Sequence, residues 1–289
     1  MPFKKILFPI DMSESCTATA PFVAAMAKRT GAAVTLLHVL EAPAPIVPDW
    51  YGGAMPVIDT KAIWEAETVA ANAYLRDHFD ATTTRRIVVE GDAALTIEDY
   101  ARENKVDLIM LPTHGYGPFR ALLLGSVTAK VLHDTPCPVW TGVHLNEASA
   151  ASPEFSTILC AIDGTEDSIP VMRFACDLAQ HDGRADRLLF VHAVPGAEVA
   201  PEKYFDTDLR TYLEQEARMT IGKLQEKAGI HAPLHLGAGA VSHVVRDFAL
   251  GQNADLVVIG RGRATHALGR LRSNVYSIIR DAPCPVISV

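Results

Sequence analysis

The chain has 289 residues, 49% hydrophobic and 21% charged, with a formal net charge of −8 at neutral pH. At roughly 150 residues per domain, that length predicts two domains, each with enough apolar material for a core. The acidic balance argues against a general nucleic-acid or anionic-membrane binder, because phosphate-rich surfaces reward basic proteins; it leaves room for a small phosphate ligand held by one loop.

In chain order, residues 6–10 form a short apolar run read as a buried strand. Pro9 fits it only at the carboxyl end, where ladder bonding is finishing. Residues 13–30 place Phe22, Val23, Met26 and Ala27 at helical spacing, closed by Gly31 as C-cap. A strand at 34–39, a Pro/Gly-rich loop at 41–53, an amphipathic helix at 61–79 and a strand at 86–89 follow. Gly91 and Asp92 lead into a helix at 94–104. A strand at 108–111, a loop at 112–125, a helix at 126–133 and a strand at 139–142 complete the first half. After a linker at 145–155 the order repeats: strand 158–162, helix 165–181, strand 188–193, helix 203–228, strand 233–236, helix 240–251, strand 256–259, loop 260–272, helix 274–280 and strand 286–289. No apolar run approaches the roughly 18 residues of a membrane span, and no signal-peptide pattern opens the chain. Cys16, Cys137, Cys160, Cys176 and Cys284 form no CxxC pair and read as reduced thiols, mostly small core hydrophobes. A cytoplasmic location is expected.

The repetition extends to the residues. Lys-Ile-Leu-Phe-Pro-Ile-Asp at 5–11 returns as Thr-Ile-Leu-Cys-Ala-Ile-Asp at 157–163. Val-Asp-Leu-Ile-Met-Leu at 106–111 returns as Ala-Asp-Leu-Val-Val-Ile at 254–259, and Pro-Cys-Pro-Val stands at both 136–139 and 283–286. A period near 150 residues is far beyond the roughly 20–50 residues of solenoid units and is the size of a whole domain. The chain is therefore read as one α/β domain duplicated in tandem, at 1–146 and 155–289. Near-continuous apolar strands alternating with helices predict a parallel sheet covered by helices on both faces.

In such open sheets ligands sit outside the carboxyl ends of strands, where the strand order reverses. Asp11 lies at one such end. The loop after the fourth strand lies at another: Pro112-Thr113-His114-Gly115, nine residues, then Gly125-Ser126. Gly115 and Gly125 would let backbone N–H groups approach an anion closely. Ser126 is the expected N-cap of a helix whose free amides and positive dipole end attract phosphate. A carboxylate facing a glycine-lined anion cradle fits a nucleotide. The familiar phosphate motifs are absent: there is no G-x-x-x-x-G-K-[ST], and Gly115-Tyr116-Gly117 and Gly260-Arg261-Gly262 both break G-x-G-x-x-G.

At these residues the chain resembles the universal stress protein family, in its tandem-domain branch. The resemblance rests on a first strand ending in Asp in each half, Leu37-His38-Val39 and Val191-His192-Ala193 in the second strand, the G-x2-G-x9-G-[ST]-like loop, and the terminal Pro-Cys-Pro-Val strand. It implies two doubly wound domains, each a five-stranded parallel sheet in the order 3-2-1-4-5, paired about a two-fold axis through their fifth strands. It also implies ATP binding in one branch of the family. The first domain is accordingly expected to bind ATP or a related adenine nucleotide with Mg²⁺ on the phosphates, and two chains are expected to associate further as a homodimer. Pro9, Asp11, Val39 and Leu111 would lie near base and ribose; Pro112, His114, Gly115, Gly125, Ser126 and Val127 would form the loop side. Pro112 stands where the family has its first glycine and lacks a backbone N–H. In the second half Asp163, Gly260, Arg263 and Ser273 hold the matching positions, and only the first glycine survives. Arg261, Arg263, Arg270 and Arg272 crowd that loop, so the second half is expected to bind ATP poorly or not at all.

Other readings stand beside these. Asp11 and Asp163 could cap the following helices, for which Ser13 and Thr165 are equal candidates. His38 and His192 read as satisfied core histidines. The arginine cluster reads as a solvated or inter-domain salt-bridging face. His231 and His235 have no third ligand for a metal site. No nucleophile–His pair accompanies the cradle, so a regulatory or protective role with little turnover is expected. A nucleotide-free interaction module is the main competitor. An enzyme of the adenine-nucleotide α-hydrolase class, similar only in fold, would need a Ser- and Gly-rich loop after the first strand; Asp11-Met12-Ser13-Glu14-Ser15 has no glycine.

Overall fold

The structure, a computed structural model, describes residues 3–41, 60–78, 84–113, 124–142, 156–181, 187–194, 206–262 and 270–289. The first half runs β1 (Lys5–Pro9), α1 (Glu14–Thr30), β2 (Ala33–Leu40), α2 (Thr60–His78), β3 (Thr84–Glu90), α3 (Ala93–Asn104), β4 (Leu108–Pro112), α4 (Ser126–Asp134) and β5 (Val139–Gly142). The second repeats it as β6 (Ile158–Ala161), α5 (Ser168–His181), β7 (Leu188–Val194), α6 (Asp206–Ala228), β8 (Leu234–Ala238), α7 (Val241–Gly251), β9 (Leu256–Ile259), α8 (Arg270–Asp281) and β10 (Val286–Ser288). The expected linker at 145–155 lies outside the described residues.

All ten strands form one sheet in the order β3-β2-β1-β4-β5-β10-β9-β6-β7-β8. Each half therefore has the doubly wound order 3-2-1-4-5. Every neighbouring pair is parallel except β5 with β10, which are antiparallel. At this seam Trp140 pairs with Ile287. The two occupy the same place after Pro-Cys-Pro-Val in each half, so the pseudo-two-fold axis passes through them.

The period-two alternation of strands sorts the core into two layers. Ile6 and Phe8 face one layer with Met26, Leu75, Met172 and Ile221, drawn from α1, α2, α5 and α6, and with Trp140 of β5. Leu7 faces the other with Ile97, Leu132, Val245 and Ile279, from α3, α4, α7 and α8. Each layer runs unbroken across both halves. Pro9 ends β1, as its missing N–H requires, and the ladder resumes with Ile10 N donating to Leu37 O at 2.9 Å.

The landmark aspartates of the repeat have a structural task. Asp107 Oδ2 accepts from Lys4 N and Lys5 N at 2.8 and 2.9 Å, and Asp255 Oδ2 accepts from Ser156 N and Thr157 N, both at 2.8 Å. Each carboxylate, just ahead of the fourth strand of its half, clamps the entry to the first.

Candidate functional site

Order 3-2-1-4-5 places β1 beside β4 with their helices on opposite faces, which opens a crevice at the carboxyl ends of these two strands. Asp11 stands there, exposed, two residues past β1. Its Oδ1 accepts from Ser13 N at 2.9 Å and from the Cys16 thiol at 3.0 Å. Ser13, not Asp11, is the N-cap of α1: its side chain accepts from Cys16 N. Asp11 thus orders the turn ahead of the helix without capping it. Met12 between them takes φ 60, a left-handed conformation that L residues rarely adopt. The Asp11 carboxylate and burial have a joint effect on Cys16. Burial first, then Asp11, pushes its thiol up to about 12, so Cys16 is a neutral donor at physiological pH.

His38 carries the loop from the other side. Buried in β2, its Nδ1 meets Ile10 O at 2.7 Å. His192 repeats the contact on Ile162 O at 2.8 Å. Both are satisfied core histidines that tie the second strand to the turn carrying the aspartate.

On the β4 side, Leu111 and Pro112 are buried at the strand end and Val39 is half-buried in β2. Gly125 N donates to Thr113 O at 3.0 Å, and the Thr128 hydroxyl donates to Pro112 O at 3.2 Å. These two bonds pin the start of α4 to the carboxyl end of β4. The N-cap of α4 is Gly125, not the expected Ser126, which is the first helical residue. Gly125 offers no side-chain acceptor, so the first-turn amides of α4 have no side-chain cap. Ser126 is exposed there and Val127 half-buried. His114 and Gly115 lie outside the described residues.

The second half departs from this arrangement at three points. Asp163 Oδ1 accepts from Thr165 N, the Thr165 hydroxyl and the Ser168 hydroxyl, at 2.9, 2.7 and 2.7 Å. Burial works to raise its pKa, but the hydrogen bonds from Ser168 and Thr165 outweigh it and hold the carboxyl below its usual value. Thr165 is therefore not a helix cap; α5 begins only at Ser168. Gly260, the one surviving glycine, has a packing reason: a Cβ there would meet Val171 Cγ2 at 2.9 Å. Finally, α8 already includes Arg270, so Ser273 lies within the helix rather than at its start. Arg263 lies outside the described residues. Arg261 is an inter-domain residue, but it bonds carbonyls rather than forming the expected salt bridges: Nη1 donates to Leu132 O and Thr135 O at 3.1 and 2.8 Å, and Nη2 to Cys137 O at 2.7 Å.

Among the described residues there is no group of three or more His, Cys, Asp or Glu that could hold a metal ion, and no helix long and apolar enough to cross a membrane. All five cysteines are free. What fold and crevice define is a tandem pair of doubly wound α/β domains with one intact loop-side helix terminus. The profile of the universal stress protein family matches residues 2–141 and again 154–289. The chain belongs to that family. It is 33% identical to universal stress protein Sll1654 of Synechocystis over 138 residues, 47% of this chain and 83% of that one. A Mycobacterium tuberculosis universal stress protein is 25% identical over 224 residues, spanning 75% of this chain and 72% of its own length. The crystal structure of a universal stress protein from Archaeoglobus fulgidus superposes with a TM-score of 0.66 at 19% identity, covering 98% of this chain and 95% of that one, a likeness of fold.

Proposed function

We propose that the first domain binds ATP or a related adenine nucleotide, in a cytoplasmic stress-response role that is regulatory or protective and involves little turnover. The observation that carries this reading is the uncapped start of α4, pinned beside the crevice that Asp11 enters. An anion there would satisfy first-turn amides to which the N-cap Gly125 offers no side-chain acceptor, and the helix dipole would add to the attraction. Asp11, whose hydrogen bonds to Ser13 and Cys16 both use Oδ1, would accept from the ribose or base through Oδ2, with Pro9, Val39 and Leu111 lining the apolar wall. Mg²⁺ would enter on the phosphates.

Pro112, the Asp163 carboxylate occupied by Thr165 and Ser168, and Gly260 packed against Val171 support a second reading, an interaction module without a nucleotide, associating further as a homodimer. Mass spectrometry of small molecules released on denaturation separates the two. About one ATP or ADP per chain supports the first reading; an empty protein with no melting shift on adding Mg-ATP supports the second. At a hundredfold excess over Kd, binding would add about 2.7 kcal/mol to stability. Gly125→Val should abolish that shift. A Cβ at 125 meets only ordinary contacts, 3.5 Å from Thr113 O and 3.6 Å from Thr128 Oγ1, so the fold should tolerate the branch that covers the amides. Arg272→Ala should leave the shift nearly unchanged; equal losses would mean that the working half is the other one.

A further inference from the structure

Helix α4 is held at its far end by the other domain. Thr135 N closes the last turn on Val131 O at 3.1 Å, but Pro136 has no N–H to offer Leu132 O. The guanidinium of Arg261, half-buried, reaches across the seam from the end of β9 and takes Leu132 O, Thr135 O and Cys137 O together. A cation against a helix C-terminus also complements the dipole. One turn further in, the hydroxyl of Tyr276 on α8 donates to Ala129 O at 3.2 Å. The backbone of Arg261 is itself fixed, its N donating to Val289 O at 2.9 Å, past the end of β10.

Among the described residues the first half returns neither contact. Thr113 occupies the position of Arg261, its N on Gly142 O as Arg261 N is on Val289 O, and its hydroxyl donates within its own half, to Gly142 O at 2.9 Å. Ala129 occupies the position of Tyr276 and has no donor in its side chain. Among the described residues the bracing thus runs from the domain with the altered loop to the domain with the uncapped helix start. A nine-residue helix is about 13 Å long and moves as a rod, so fixing its C-terminus sets where its N-terminus points.

We propose that the second domain acts as a brace on α4, with Arg261 as the positioning residue, and thereby regulates the phosphate side of the first domain's crevice. The ligand half of this statement rests on the nucleotide reading above; the mechanical half does not. The test is hydrogen exchange of the full chain without ligand, together with Mg-ATP titration, for wild type, Arg261→Met, Arg261→Lys and Tyr276→Phe. Arg261→Met should speed exchange in α4 about tenfold while α3 and α7 keep their rates. It should weaken Mg-ATP about fivefold to tenfold. Arg261→Lys, which keeps the cation and can reach a carbonyl, should recover part of both effects. Tyr276→Phe removes one hydroxyl and should shift both in the same direction by a smaller factor, which also serves if Arg261→Met fails to fold. Wild-type exchange in α4 of all variants overturns the brace. Faster exchange with unchanged Mg-ATP affinity overturns its link to the crevice. A wild type that binds no Mg-ATP overturns the nucleotide reading, and α4 exchange alone then decides the brace.

Discussion

Cys16 and Ser168 perform one task with different atoms. Each stands five residues past the aspartate of its half, and each donates to that aspartate's Oδ1, at 3.0 Å from sulfur and 2.7 Å from oxygen. Cys16→Ser should therefore preserve the turn around Asp11, whereas Cys16→Ala removes the donor and about 1 kcal/mol of stability. If Asp11 serves the nucleotide, calorimetric titration should show Cys16→Ser near wild type and Cys16→Ala several-fold weaker. Asp163 carries a pH signature. Its folded pKa is depressed, so its contribution is fully present above the ordinary carboxylate value near 3.8 and is lost as pH falls through the lower folded value. Replacing Thr165 and Ser168 by Ala should bring the Asp163 titration, followed by NMR, back up toward that ordinary value. Both aspartates were visible in the sequence as strand-end carboxylates. Their partners were not, because the thiol and hydroxyl are recognised only once the turn folds them back onto Oδ1.

At the scale of elements, most boundaries were legible from period and punctuation, and the misplaced ones have physical causes. Helix α8 already includes Arg270, four residues before its expected start. The first half stops its equivalent helix with Gly125; the second has Arg270-Leu271-Arg272, all good helix formers, so nothing ends the helix early. Helix α5 begins three residues late because the bonds to Asp163 hold the preceding residues in turns. An inter-domain face was one of two readings of the arginine cluster; that Arg261 is the residue that crosses, and onto carbonyls, was illegible, since a run of arginines gives no direction. The aspartate clamps were read only as landmarks of the repeat. Their geometry predicts that Asp107→Ala and Asp255→Ala each cost about 1–2 kcal/mol, because two backbone amides lose one charged acceptor. Urea unfolding should show the two losses to be similar; a silent Asp107→Ala would mean that solvent replaces the clamp at no cost.

For the whole molecule, the duplication was plain from the repeated motifs, and the doubly wound order of each half followed from the family resemblance. The central seam is what makes the halves one body: one sheet, two core layers that both cross it, and Arg261 and Tyr276 on one side. Unfolding should accordingly be a single calorimetric transition. Ser288→Pro, opposite Val139 on the seam strand, removes a backbone N–H that faces β5 and should weaken the seam ladder. It should also split the transition in two, as each half unfolds by itself; one unsplit transition in that variant would locate the cooperativity outside the ladder.

The seam also carries its own optical probe. Trp140, at the two-fold pair, is fully buried against Phe22, with ring centroids 5.6 Å apart, and its indole Nε1 has no hydrogen-bond partner among the described residues. An indole so placed emits as in a hydrocarbon, and the first water molecule to enter would find an unused donor. With Trp50 and Trp64 replaced by Phe, light emitted by Trp140 would report whether the two halves are closed upon each other, with no label added and without unfolding either half.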